Sequence, residues 1–186
     1  MKMFALALCA SLGVTTAASA QTATNIVEQY SAAQGVFLPA GLDIVQQRVY
    51  IRDLLTALQG DWVPASLVAE GTADLDVKFL TGVCERGKAL QFAAPAPYQF
   101  TLTRPGRDSP LTETYDFVSG QVFQKRVDDA DFIRFMKIDE TQPKLAASML
   151  QGANRFGPVA MFQPSPDIFV VQPMLGGIAQ IYARCP

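Results

Sequence analysis

From residue 60 onward the chain is cut into short apolar or alternating runs by Gly, Pro and charged residues, and this punctuation limits the possible folds more than any other feature. Runs of four to eight residues bounded by turn formers have strand spacing. Residues 62–68, 77–83, 89–92 and 98–103 fit it, as do 159–162, 168–172 and 178–185. The clearest is the run Tyr98-Gln99-Phe100-Thr101-Leu102-Thr103, whose apolar side chains share one face and whose polar ones share the other. Pro95 and Pro97 cannot donate to a sheet ladder, which places the preceding connection at an edge or loop. Residues 104–110 read as an exposed turn.

Residues 112–138 read as an antiparallel meander of three strands. A three-residue loop at Ser119-Gly120-Gln121 pairs Phe117 with Phe123, Val118 with Val122, Asp116 with Gln124 and Thr114 with Arg126, so polar meets polar and apolar meets apolar. Gly120 then supplies the left-handed residue that such loops need. The third strand, 130–138, carries Phe132, Met136 and Ile138 on one face and Ile133 and Phe135 on the other, and is expected to be covered on both sides.

One helix precedes this pattern and another interrupts it late. Over 43–59, Ile44, Ile51, Leu55 and Leu58 fall on one stripe, with Gly60 at the C-cap position and Arg48 and Arg52 as solvated flanks. Over 142–151, Thr141 caps, Pro143 enters the first turn, Gly152 follows the end, and Leu145 and Met149 share the inner face. Asn25 is placed to cap a shorter helix ending near Tyr30.

The first twenty residues have the form of a secretory leader: a basic start at Lys2, an apolar core over 4–14, and the small-residue site Ala18-Ser19-Ala20. Bulky Leu8 before Cys9 argues against a lipid anchor. The expected product is periplasmic or secreted with no membrane span after leader removal, an N-terminal segment over 21–40 and a single β-rich domain over 41–186. Removing the leader leaves Cys84 and Cys185, which in an oxidising space most simply form a disulfide; two thiols or metal ligands are the alternatives. A bridge closing about a hundred residues is worth about 4.7 kcal/mol in the chain-entropy model. The alternation of the last strand places Ala179, Ile181, Ala183 and Cys185 on an inward small face.

Fifteen basic residues against seventeen acidic ones, with no basic cluster, make nucleic acid and anionic lipid poor partners. The sequence contains no histidine, which excludes histidine-based nucleophilic catalysis, proton shuttling and metal ligation. It also lacks the glycine-rich phosphate and dinucleotide motifs. Asp128, Asp129 and Asp131 cluster at a turn, but their spacing fits no twelve-residue calcium loop, and Arg126 is placed to neutralise Asp131. Glu113 with Asp116, or Asp139 with Glu140, would serve as an acid–base pair only by converging in a pocket. No catalytic residue, metal site or cofactor is assigned.

The aromatic residues on strands are the remaining resource. A barrel of about eight strands can hold one small apolar ligand, and Tyr98, Phe100, Tyr115, Phe117 and Phe123 are the candidate lining residues. The helix before Gly60-Asp61-Trp62, the antiparallel strands that follow and a disulfide reaching the C-terminal strand resemble the lipocalin (calycin-type) pattern. That resemblance implies a mainly β, antiparallel barrel or strongly curved sheet, with an N-terminal helix and Trp62 plugging its closed end. The late helix, with several strands after it, departs from the pattern. The expected function is non-catalytic: an exported binding protein for a small apolar or amphipathic ligand. An accessory or assembly subunit of a cell-envelope complex is the alternative, and a carboxylate enzyme comes third.

Overall fold

The computed structural model describes residues 43–65, 77–152 and 155–186. The expected leader, the N-terminal segment with its helix near Tyr30, and the latter part of the strand expected at 62–68 lie outside them. In order along the chain come α1 (Ile44–Ala57), β1 (Gly60–Pro64), α2 (Val77–Glu85), β2 (Leu90–Ala96), β3 (Gln99–Arg104), β4 (Leu111–Ser119) and β5 (Val122–Val127). There follow α3 (Asp129–Met136), α4 (Pro143–Gly152), β6 (Gly157–Ser165), β7 (Ile168–Pro173) and β8 (Gln180–Arg184). Each strand pairs antiparallel with the next, and β8 pairs back onto β1, closing an eight-stranded barrel.

Alternation along the strands decides what fills the barrel. Trp62, Leu90, Phe92, Phe100, Leu102, Tyr115, Phe123, Val159, Met161, Phe169, Val171 and Tyr182 point inward and form one buried cluster with Ile51, Leu54, Leu55 and Leu58 of α1. Helix α1 therefore plugs one end of the barrel. Asp43 caps it, accepting from the Val45 and Gln46 amides while Gln46 returns to the Asp43 amide. Ile44, at the start of the expected stripe, is exposed, and Leu58 rather than Gly60 is the C-cap; Gly60 instead opens β1.

The outward faces of β1, β6, β7 and β8 form a second cluster, in which Val63, Phe162, Ile168, Val170, Ile181 and Ala183 meet Leu80 of α2. This reverses the expected orientation of the last strand. Tyr182 faces the interior, and Ala179, Ala183 and Cys185 face outward, where small side chains let a helix approach the sheet closely. Cys84 near the end of α2 is bonded to Cys185, with Cα atoms 5.9 Å apart.

Two expected strands are helices. In 77–83, Leu80 meets the outer cluster together with Val83 and Cys84, a helical spacing that so short an apolar run shares with a strand. The turn after α2 closes through the Gly87 and Lys88 amides, which donate to the Cys84 and Val83 carbonyls. In 130–138, Asp128 caps α3 by accepting from the Ala130 and Asp131 amides, and acidic residues occupy its first turn. Phe132, Phe135 and Met136 thus stand one helical turn apart rather than on two faces of a central strand, and no α3 residue is fully buried.

The β4–β5 hairpin has the expected register for Phe117 with Phe123, Asp116 with Gln124 and Thr114 with Arg126. A bulge between Phe117 and Ser119 makes Ser119, not Val118, the partner of Val122, and Gly120 adopts a φ of 58°. A second bulge, between Ala93 and Ala96, accommodates Pro95 within β2.

Candidate functional site

The five aromatic candidates divide between the interior and the α1 end of the barrel. Phe100 stacks on Phe92 at 4.8 Å and on Tyr115 at 4.3 Å, and meets Phe123 edge-on at 5.0 Å. These rings are fully buried and fill the interior with one another. Phe117 packs partly buried against Phe123, and Tyr98, 42% exposed in the β2–β3 turn, leans on Phe117 at 5.9 Å. Trp62 lies beneath the end of α1, where its Nε1 donates to the Leu58 carbonyl at 2.7 Å.

Toward the opposite end the interior becomes polar. Glu113, on the inward face of β4 and 5% exposed, sits 2.9 Å from Lys125 of β5 and 3.7 Å from Arg104 at the end of β3. The Tyr115 hydroxyl donates to the same carboxylate at 2.7 Å, and Arg104 reaches the Tyr182 hydroxyl at 3.5 Å. Burial by itself would raise the Glu113 pKa, but Lys125 and Arg104 outweigh it and hold the carboxyl below its ordinary value. Burial and the nearby carboxylate push the Tyr115 phenol well up. Glu113 is therefore a fixed anion rather than a proton donor, and the phenols remain protonated donors.

Glu113 and Asp116 do not converge. Strand alternation sends Asp116 to the outer face, where it takes hydrogen bonds from Gln99 and Arg126, both at 2.7 Å. That also corrects the expected Arg126–Asp131 pair: Asp131 is held by Arg134 within α3, and Asp129 by Arg155. Asp139 is occupied by its neighbours Thr141 and Gln142. Among the described residues no group of three acidic or thiol side chains is placed to hold a metal ion.

At this polar end a cleft of about 780 Å³ opens between β1, the end of α2, β2, the β3–β4 loop and α3. Its walls are predominantly apolar, formed by Val63, Pro64, Val83, Leu90, Pro105 and Phe135, with Lys88, Arg104 and Arg107 as the charged lining residues. Gly106 shapes one wall by close approach, because a Cβ there would lie 1.9 Å from the Ser109 carbonyl oxygen and 3.0 Å from the Phe135 ring. None of Tyr98, Phe100, Tyr115, Phe117 and Phe123, the residues expected to line a ligand site, lines this cleft. Lys88 lies in the turn before β2 and Arg104 at the end of β3, strands joined by the Gln91–Thr103 pairing, and the sequence alone marks Arg104 only as the start of an exposed turn. The Arg104-Pro105-Gly106-Arg107 run, a compact turn with a cation at either end, was the one local signal.

Among the described residues no helix is long and apolar enough to cross a membrane. The eight-stranded antiparallel barrel is compatible with a lipocalin-like barrel. Comparison with protein-family models, with curated proteins and with solved structures found no match to this chain.

Proposed function

We propose that this chain is an exported, non-catalytic binding protein for a small apolar or amphipathic ligand, held in the cleft at the polar mouth of the barrel. The observation that carries the reading is the cleft itself: about 780 Å³, largely apolar, with a few convergent polar groups. That size and chemistry are those of small-molecule sites. The leader-like first twenty residues and the Cys84–Cys185 bond support export.

Trp62, the chain's single tryptophan, is the cross-strand partner of Leu90, which lines the cleft, so its fluorescence can report occupancy. Titration with alkyl and aromatic amphiphiles is expected to give a saturable change that Val83→Glu weakens. A flat response to the whole panel, with no ligand in mass spectra of extracted native protein, would sink the reading.

One observation favours an accessory subunit of an envelope complex. Leu175 is 84% and Ile178 87% exposed in the β7–β8 loop, with Met174 half-exposed beside them. Apolar side chains concentrated on one loop mark an interaction site. A photo-crosslinker at position 175 is expected to give one discrete adduct in the envelope that Ile178→Asp removes; a diffuse ladder would oppose this reading.

A further inference from the structure

We propose that the cleft takes a free, single-tailed carboxylic acid, its carboxylate held by Lys88, Arg104 and Arg107 and its alkyl chain laid against Val63, Leu90 and Phe135. This rests on the cleft being the ligand site. Among the described residues three cations line it and no carboxylate does. Glu113 is paired with Lys125 and with Arg104 itself, Asp108 with Lys137, and Glu85 is exposed at the end of α2 outside the lining. Since Glu113 is a single anion set against two cations, this part of the barrel mouth carries one uncompensated positive charge even before Lys88 and Arg107 are counted.

The three cations have different freedoms. Arg104 is oriented in advance by Glu113 and the Tyr182 hydroxyl, with its side chain 27% exposed. A guanidinium presents paired donors that match a carboxylate, and a pre-set one loses less freedom on binding. Lys88 and Arg107 are exposed and make no ion pair among the described residues, so they are available to close on an anion from the solvent side. The apolar walls select against a compact, heavily hydrated dianion and favour a monoanion with a hydrocarbon tail. A neutral head would leave the cations uncompensated, and an ammonium head would be repelled.

The test titrates the full chain, disulfide intact, with dodecanoate, dodecanol and dodecyltrimethylammonium at mildly alkaline pH and low salt. Dodecanoate is expected to bind at least about tenfold more tightly than dodecanol, with the ammonium weakest. Affinity among shorter acids should rise roughly fourfold per added methylene. The double variant Lys88→Ala with Arg107→Ala should close most of the gap between acid and alcohol by weakening dodecanoate far more than dodecanol. Should that variant misfold, the wild-type protein still decides: raising salt from about 50 mM to about 500 mM must weaken dodecanoate and spare dodecanol. Equal binding of acid and alcohol, or preference for the ammonium, overturns the carboxylate assignment and leaves the amphiphile reading standing. Binding of none of the three overturns both.

Discussion

The Arg184 guanidinium lies over the Trp62 ring, 4.2 Å from its centroid, while Arg184 donates to the backbone carbonyls of Ala57, Gln59 and Pro166. One side chain of β8 thus ties together the end of α1, the start of β1 and the β6–β7 turn. Lysine has one ammonium where arginine has a planar fork, and it cannot span three carbonyls while covering a ring. Arg184→Lys is expected to lower stability by about 2 kcal/mol, seen as an earlier urea midpoint. An unchanged midpoint would show the contacts to be incidental.

Glu113 predicts an acid-sensitive barrel. Its pKa is lower in the folded protein than in the unfolded chain, so its contribution is present in full above the unfolded value near pH 4.3 and is lost as pH falls through the folded value. Glu113→Gln leaves the partly buried Lys125 and Arg104 facing a neutral amide and is expected to cost about 1–3 kcal/mol at neutral pH. The same variant should flatten the acid limb of the stability profile. A variant that unfolds along the wild-type acid curve would refute the assignment.

The Cys84–Cys185 bond joins α2 to the chain just past β8. Paired serine substitutions are expected to cost about 2–5 kcal/mol, and native protein denatured without reductant should yield no titratable thiol from either residue.

Gly106→Ala should disturb the cleft more than the barrel. The added methyl would meet the Ser109 carbonyl oxygen at 1.9 Å, so the β3–β4 loop must shift and carry Phe135 with it. A loss of about 1–3 kcal/mol is expected, together with weakened amphiphile binding. Unchanged stability with unchanged binding would mean that the loop relaxes freely.

Barrel strands were legible where one face is buried and the other wet. Phe100 and Leu102 alternate with Thr101 and Thr103, and the structure buries the first pair completely. The hairpin at Gly120 was legible because pairing like with like left one register for most of its residues. The helices at Leu80 and Phe132 were not, since short apolar runs satisfy either period and only tertiary packing or a cap decides. Asp128 held the clue to α3, but one aspartate followed by another is as ordinary in a turn as at a helix start. The cleft was hidden for another reason: the β2–β3 hairpin brings Leu90 and Arg104 together, but Phe135 comes from α3, and only the packed fold sets it against them.

The seam between β1 and β8 joins opposite ends of the described chain: Trp62 faces Arg184, and the Cys185 amide continues the ladder to the Asp61 carbonyl. Every other seam links strands adjacent in sequence, so this one alone closes a large chain loop, and its ordering entropy falls on a single set of contacts. The barrel is in that sense a rolled sheet with one fastening. The disulfide and Arg184 both sit at that fastening, so damage there should unroll the sheet as a whole, whereas equal damage to the Tyr98 hairpin should fray it only locally.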